Sequence, residues 1–174
     1  MSDLLDPDRL GSDSLGSDRL GRARAERAAP GAALAQDAAE IVRAAQAMAG
    51  RFGRGGRLLA FGAPADAAHV AVEFTHPVIV GKRALPALAV DAVRLRTLGH
   101  PEDIAIGIGI GDGEVLEVAR GLGMLTVVLA ADPGGVVADH VLVARTSDPL
   151  IARELHVTTY HLLWELVHVF LESS

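Results

Sequence analysis

Short apolar runs that alternate with segments of helical spacing constrain the fold of this chain more than any other feature. The runs are RLLAF at 57–61, LPALAVD at 85–91, DIAIGIGIG at 103–111 and MLTVVLA at 124–130, and DHVLVA at 139–144 is predicted as an edge strand. Continuous apolar strands indicate a parallel sheet that is covered by helices on both faces. We therefore predict an α/β three-layer sandwich with a five-stranded, mostly parallel sheet, doubly wound in the flavodoxin-like manner.

The segments between the runs have the spacing of helices. Apolar residues at steps of three and four predict a helix from Ala32 to the glycines of RFGRGG, and further helices are predicted over 66–75 and 114–122. The last helix is the clearest, since Asp148 can cap a helix over 149–171 whose first residue is proline.

The first thirty residues differ from the rest of the chain. Three five-residue units follow one another, PDRLG, SDSLG and SDRLG, and their leucines are spaced five apart, which matches neither a helical nor a strand face. We predict a disordered low-complexity tail over 1–30, ahead of a single domain over 31–174. Both a simple extension and a partner-docking arm remain open for this tail.

Charge and composition exclude several classes of protein. Sixteen basic and twenty-two acidic residues give a net charge of −6, which argues against a general nucleic-acid surface and against binding to an anionic membrane. The chain has no cysteine, so a disulfide scaffold and a thiolate metal site are excluded. With no apolar run of about eighteen residues and a polar, acidic N-terminus, we expect a cytoplasmic protein.

Histidine and glutamate recur at helical spacing in two places. His69 and Glu73 are four apart, and the last helix carries a polar stripe at steps of 4, 3, 4 and 3: Glu154, Thr158, His161, Glu165 and His168. A histidine and a glutamate brought together from two helices can act as general acid and base, or can bind a divalent metal such as zinc. Ordinary surface pairs on solvated faces have the same spacing, so both interpretations stay open.

Two loops follow predicted strands at the edge where doubly wound sheets bind ligands. The residues that we predict to bind a ligand there are Gly62, Ala63 and Asp66 after the first strand, and Gly109, Gly111 and Asp112 after the third.

Four segments resemble one family. FGAPADAAHVAVEF at 61–74, RALPALAVD at 83–91, GLGMLTVVLAADPGGVVADHVLV at 121–143 and ARELHVTTYHLLWELVHVFLE at 152–172 are similar to successive parts of the phosphoheptose isomerases. These enzymes have a sugar isomerase (SIS) domain and interconvert ketose and aldose phosphates through an enediol. The resemblance implies Glu73 and His161 as catalytic residues. It also implies a zinc site of His69, Glu73 and His161, although Arg153 stands where the family has a glutamine ligand.

The chain departs from the family pattern where phosphate is bound. GAPAD at 62–66 and GIGIGDGE at 107–114 contain no hydroxyl residue, and Asp66, Asp112 and Glu114 would repel a dianion. The segment between Asp91 and Asp103 is also shorter than in the family. We therefore expect a binding or regulatory protein that has lost ordinary isomerisation. The alternatives are an active aldose–ketose isomerase and a metal-binding accessory protein.

The resemblance also implies association of the chain with itself. We expect a homo-oligomer, either a tetramer or a dimer, in which the first and last helices pack between subunits. A protein partner and a sugar-derived ligand are further expectations.

Overall fold

The sheet has the predicted architecture. The computed structural model describes residues 7–76, 81–109, 113–132 and 134–173. The strands are β1 (Leu58–Gly62), β2 (Ala87–Ala89), β3 (Ile104–Ile108), β4 (Leu125–Ala130) and β5 (His140–Val143). They are ordered β2-β1-β3-β4-β5, and every neighbouring pair is parallel. The chain therefore reverses its direction of winding between β1 and β3, where this class of sheet opens a ligand crevice.

Helices cover both faces of the sheet. They are α1 (Pro7–Ala33), α2 (Ala38–Gly53), α3 (Pro64–Thr75), α4 (Ala92–Leu98), α5 (Glu114–Gly121) and α6 (Pro149–Glu172), and a 3-10 turn, Leu34–Asp37, joins α1 to α2. Leu58 and Ala60 of β1 pack in the core with α2, α3 and α6, whereas Leu59 and Phe61 pack in the core with α4 and α5. This alternation along one strand produces the three layers. None of the described helices is long and apolar enough to cross a bilayer.

Helix α6 begins as its sequence predicts. The Asp148 carboxylate accepts hydrogen bonds from the backbone N–H of Leu150 at 2.8 Å and of Ile151 at 3.2 Å, and Pro149 occupies the first turn. These contacts satisfy amides that have no partner within the helix. α6 packs closely against α2 and also contacts α1, α3 and β4, so its side chains are held against four other elements.

The structure differs from the sequence expectation at the N-terminal segment. Residues 7–33 form helix α1 where we expected a disordered tail, although residues 15–20 are exposed. RARAERAA at 22–29 consists of good helix formers, and Arg27 donates to both carboxylate oxygens of Glu154 at 2.8 Å. The five-residue repeat hid this helix because its leucines do not form an apolar stripe.

A second difference lies between Asp91 and Asp103, where no helix was predicted from the sequence and the structure has α4. Asp91 caps α4 by accepting from Arg94 N at 2.8 Å, and the buried Leu95 anchors the helix to the sheet. β2 is correspondingly shorter than the predicted run at 85–91. A capping aspartate followed by a helix of seven residues offers too few apolar positions for a periodic signal.

Candidate functional site

A cleft of about 610 Å³ lies at the carboxyl ends of β1, β2 and β3. Its lining residues come from the loops after those strands and from the helices that follow: Phe61, Gly62, Ala63, Pro64, Ala67, Ala89, Val90, Asp91, Ala92, Arg94, Gly109 and Val115. Three of the predicted ligand-binding residues, Gly62, Ala63 and Gly109, therefore line a real cavity. Asp66 does not line it, and Gly111 and Asp112 lie outside the described residues.

Gly62 lets β1 and β3 approach closely at the mouth of this cleft. Its φ is +105°, and a Cβ atom there would lie 2.2 Å from the carbonyl oxygen of Ile108. The next residue, Ala63, donates its N–H to that same oxygen at 2.9 Å. Gly62 thus has a structural reason to be glycine, separate from any contact with a ligand.

The described lining of the cleft offers little to a phosphate. It contains no hydroxyl side chain, and its ionisable groups are Asp91 and Arg94, which lie 3.4 Å apart. α3 begins here with Pro64, which has no N–H to donate. The absence of Ser and Thr that the sequence showed in the first loop therefore extends to the described walls of the cavity.

The predicted histidines and glutamate meet on the other side of α3. His69 and Glu73 project from α3 towards α6, and their donor atoms and those of His161 all lie within 4.8 Å of one another. Nε2 of His161 is 3.7 Å from Oε2 of Glu73. Both histidines are exposed, and 15% of the Glu73 side chain is accessible. The cluster does not line the cleft, because Ala63, Pro64 and Ala67 turn a different face of α3 towards it.

Tyr160 supports this cluster, and sequence reasoning did not identify it. Its ring is fully buried, and its hydroxyl lies 2.6 Å from Nδ1 of His69. The rings of Tyr160, His69 and His161 pack edge to face, with centroids 5.1–5.5 Å apart. Burial raises the pKa of Tyr160 to about 12, helped by the charges of Asp66 and Glu73. The phenol is therefore neutral at physiological pH and fixes the orientation of His69.

Asp66 and Arg153 form an ion pair beside the cluster. Nε of Arg153 lies 2.9 Å and 3.1 Å from the two carboxylate oxygens of Asp66. The Asp66 side chain is 7% exposed and that of Arg153 is 57% exposed. The field of Arg153 acts on Tyr160, where it opposes the rise in pKa of the phenol. Arg153 therefore belongs to the same electrostatic neighbourhood as the His/Glu cluster.

This pairing corrects two expectations drawn from the sequence. Asp66 is no free carboxylate in a phosphate loop, because Arg153 neutralises it. Conversely, the positive charge of Arg153 repels a metal ion at the His/Glu cluster less than an unpaired arginine would, because Asp66 compensates that charge. Glu114 is 77% exposed and lies 3.9 Å from Arg96, so its repulsion is also screened. The described carboxylates therefore exclude an anionic ligand less strongly than their number in the sequence implied.

The polar stripe of α6 does not form one site. Only His161 of the stripe joins the cluster, whereas Glu154 pairs with Arg27 and the buried His168 places its ring nitrogens near the carbonyl oxygens of Trp164 and Arg83. Three further histidines, His76, His100 and His140, stay apart from the cluster as well. His140 contacts Glu40 at 2.7 Å, and His76 and His100 are exposed.

His156 is buried on α6, where the charge of Asp66 acts on its imidazole. Desolvation lowers the pKa of His156, while its hydrogen bond with the Ala130 backbone opposes the shift. Nε2 of this ring has no hydrogen-bond partner among the described residues. His156 is therefore a neutral, structural imidazole rather than an exposed ligand.

The donor set of the cluster fits a zinc ion. Two imidazoles and one carboxylate are the protein ligands of many catalytic zinc sites, which keep a fourth position for water or substrate. With Nδ1 of His69 occupied by Tyr160, Nε2 is the nitrogen available to a metal. A hydroxyl partner on the other ring nitrogen is a common way of orienting a metal-binding histidine.

The sheet order, the three layers and the cluster between α3 and α6 define a sugar isomerase (SIS) domain protein. Two solved structures share this fold, the phosphoheptose isomerases of Francisella tularensis and Neisseria gonorrhoeae. They have TM-scores of 0.77 and 0.75 at 20% and 21% identity, and the matches cover 88% and 87% of this chain and 98% and 97% of those chains. No family profile matches the chain.

Curated relatives identify the family within this class. The phosphoheptose isomerase of Desulfovibrio desulfuricans is 34% identical over 168 residues, which cover 79% of this chain and 80% of that protein. The phosphoheptose isomerase of Roseiflexus sp. is 32% identical over 157 residues, covering 73% and 80% of the two chains. The chain therefore belongs to the phosphoheptose isomerase family.

Proposed function

We propose that this protein is an aldose–ketose isomerase that acts on a sugar phosphate or a similar anionic sugar. The observation that carries this proposal is the approach of His161 Nε2 to Glu73 Oε2 at 3.7 Å, at a surface that a substrate can reach. A binding protein has no need of a carboxylate and an imidazole at this separation beside a second, oriented histidine. The family of the chain supports the same activity.

The two groups divide the proton transfers of an enediol reaction. The Glu73 carboxylate removes the proton from C1 of the ketose, the electron pair of that C–H bond forms the C1=C2 bond, and the carbonyl oxygen on C2 takes a proton from His161. Glu73 then returns its proton to C2, and the imidazole of His161 removes the proton from the oxygen on C1. The C1 carbonyl of the aldose forms, and both residues return to their starting states.

A zinc ion would be held by His69, Glu73 and His161, and when bound it would polarise the sugar oxygens as a Lewis acid. The proton transfers described above are those of the metal-free site, because Glu73 and His161 would bind zinc through the same atoms that exchange protons. Whether or not a metal is bound, the hydrogen bond between the Tyr160 hydroxyl and Nδ1 keeps the ring of His69 beside the reacting groups.

The experiment is solvent deuterium exchange at C1 of sedoheptulose 7-phosphate, together with deuterium incorporation at C2 of the aldose product, followed by NMR with and without added zinc. Exchange detects enediol formation even when net turnover is slow. We expect Glu73→Gln to lower the exchange rate by at least about 100-fold, because the amide cannot accept the proton. His161→Asn should slow net isomerisation more than exchange at carbon, since it removes proton transfer between the oxygens.

Matched controls come from the same chain. Glu165→Gln changes another exposed glutamate, on α6 but outside the cluster, and His100→Asn changes an exposed histidine in a turn. Both should leave the exchange rate unchanged. Absence of exchange in the wild-type protein, with and without zinc, would contradict the proposal.

A second candidate function, that of a binding or regulatory protein without turnover, is favoured by the lack of phosphate-binding groups in the cleft. Its described walls carry no hydroxyl group and a single arginine, Arg94. A protein of this kind retains its function in Glu73→Gln and His161→Asn. Binding of a sugar that both variants preserve, with no exchange in the wild type, would select this candidate.

Self-association is a further part of the proposal. An apolar groove of about 440 Å³ lies between the 3-10 turn, α2 and α6, and Leu34, Ile41, Val42, Leu162 and Leu166 are among the residues that line it. Such a surface favours contact between copies of the chain. We expect a tetramer or a dimer by light scattering coupled to size exclusion; a monomer at micromolar concentration would oppose this.

A further inference from the structure

Arg153 has hydrogen-bonding capacity that no protein group uses. Its guanidinium carries five N–H donors, of which the one on Nε is directed at Asp66. Neither Nη atom makes a hydrogen bond within the described part of the chain. Since 57% of the side chain is exposed, the two parallel N–H donors of its outer edge, one on each Nη, can reach a ligand beside the His/Glu cluster.

The buried Asp66 fixes the direction of those donors. Its carboxylate belongs to the first turn of α3, is 7% exposed, and receives both of its described hydrogen bonds from Arg153 Nε. A planar guanidinium that is held through Nε must direct its outer edge, Nη1 and Nη2, away from Asp66. Asp66 therefore orders the Arg153 side chain before a ligand binds, and binding loses less conformational entropy than it would at a free arginine.

The place of this edge is set by the pairing of α3 with α6. Contacts run in the same direction along both helices, from Asp66 with Arg153, through His69 with Tyr160, to Glu73 with His161. The guanidinium thus lies towards the amino end of α3, and the proposed proton-transfer pair lies about two turns further along the same face.

Arg94 offers a weaker alternative in the cleft. It is 67% exposed, pairs with Asp91 at 3.4 Å on its own seven-residue helix, and has no buried partner to orient it. An exposed pair of this kind contributes little and is screened by salt. Arg153 is the better-organised anion receptor.

We infer that Arg153, oriented by Asp66, is the anion-binding residue of this site and holds the phosphate or carboxylate group of a sugar ligand through Nη1 and Nη2. Two parallel N–H donors match an oxyanion of either kind. This takes the place of the hydroxyl-rich loops that the chain lacks, and it rests on the proposed function because it assigns the anionic end of that substrate.

The test measures the affinity of four probes for the full-length protein by calorimetry: sedoheptulose 7-phosphate, gluconate, inorganic phosphate and the neutral sugar alcohol sorbitol. We expect binding of at least one sugar anion and no binding of sorbitol. Preference for the phosphate ester or for gluconate identifies which oxyanion the site takes.

Two variants separate anion binding from stability. Arg153→Lys keeps the charge beside Asp66 but loses the planar pair of donors, and we expect roughly 10-fold weaker binding of the anion. The double variant Asp66→Asn/Arg153→Gln leaves no buried charge without a partner, and it should lose saturable binding. Arg43→Gln, an exposed arginine on α2 that pairs with Glu40, is the matched control and should bind as the wild type does.

The outcomes distinguish this inference from the proposed isomerase activity. Equal anion affinity in the wild type and in the folded double variant overturns the role of Arg153, as does the absence of saturable binding at millimolar probe. Anion binding that is lost with Arg153 but is unchanged in Glu73→Gln supports it, even where the wild type shows no exchange. Exchange that persists with an unchanged KM in the double variant overturns it while the isomerase proposal stands.

Discussion

Replacing Arg153 by glutamine should destabilise the protein far more than an exposed arginine ordinarily does. The substitution leaves the Asp66 carboxylate, 7% exposed, without its charged partner. Breaking a fully buried ion pair costs about 3–5 kcal/mol. Because 57% of the Arg153 side chain is exposed and water can partly replace it, we expect the free energy of unfolding to fall by about 2 kcal/mol.

A double-mutant cycle isolates the pair. Asp66→Asn removes the charge that needs a partner, so the double variant Asp66→Asn/Arg153→Gln should lie within about 1 kcal/mol of the wild type. The coupling energy between the two positions should then be between about 1 and 2 kcal/mol. Urea unfolding followed by circular dichroism measures these values, at one fixed protein concentration because association shifts apparent stability.

Arg43→Gln is the comparison that makes the test decisive. Arg43 is 62% exposed, close to the 57% of Arg153, but its partner Glu40 is 24% exposed. We expect this change to cost no more than about 0.5 kcal/mol. Equal losses in Arg43→Gln and Arg153→Gln would refute the reasoning, since the burial of the carboxylate would then have no influence on the pair.

Three further perturbations have expected outcomes. Tyr160→Phe removes the hydroxyl that bonds to His69 and keeps the ring, so unfolding should become easier by about 1 kcal/mol and the imidazole resonances of His69 should shift in NMR spectra. Burial alone raises the pKa of Asp103, but hydrogen bonds from the Arg57 side chain and from backbone N–H groups outweigh it and hold that pKa below its usual value. The ionised Asp103 therefore stabilises the fold fully above its unfolded pKa, about 3.9, and this stabilisation is lost as the pH falls through its folded pKa. We expect Asp103→Asn to make the free energy of unfolding less dependent on pH in the acid range. An unchanged dependence on pH would contradict this role of Asp103. Gly62→Ala places a methyl group in contact with a β3 carbonyl at a positive φ, so we expect a lower Tm in calorimetry and would reject the close approach if Tm did not change.

The strands and the last helix could be predicted from the sequence because their signals are local. An apolar run such as MLTVVLA is buried wherever it lies in a parallel sheet, and Asp148 followed by Pro149 defines a helix start without help from the rest of the chain. Helix α1 could not be predicted, since part of what holds it is a contact between Arg27 and the distant Glu154.

The candidate site was predictable in part for the same reason. Spacing placed His69 and Glu73 on one helical face, and the resemblance to a family brought His161 to them. The partner of Asp66 is 87 residues away, however, so the sequence alone suggested a free carboxylate at Asp66. Tyr160 is a core residue of α6, and its role depends on the direction of its hydroxyl group, which the spacing of residues in the sequence does not reveal.

Because α3 and α6 run in the same direction, they fix the distance between the two ends of the proposed site. Asp66, which holds the guanidinium, and Glu73 are seven residues apart on one rigid helix, a rise of about 10 Å. On the proposed function, a ligand would bind Arg153 near one end of this segment and react near the other, so the spacing along α3 would limit the distance between its anionic group and its reacting carbons. A short sugar would contact either Arg153 or the Glu73–His161 pair, but not both. The helix, rather than the walls of a pocket, would then select substrates by the length of their carbon chain.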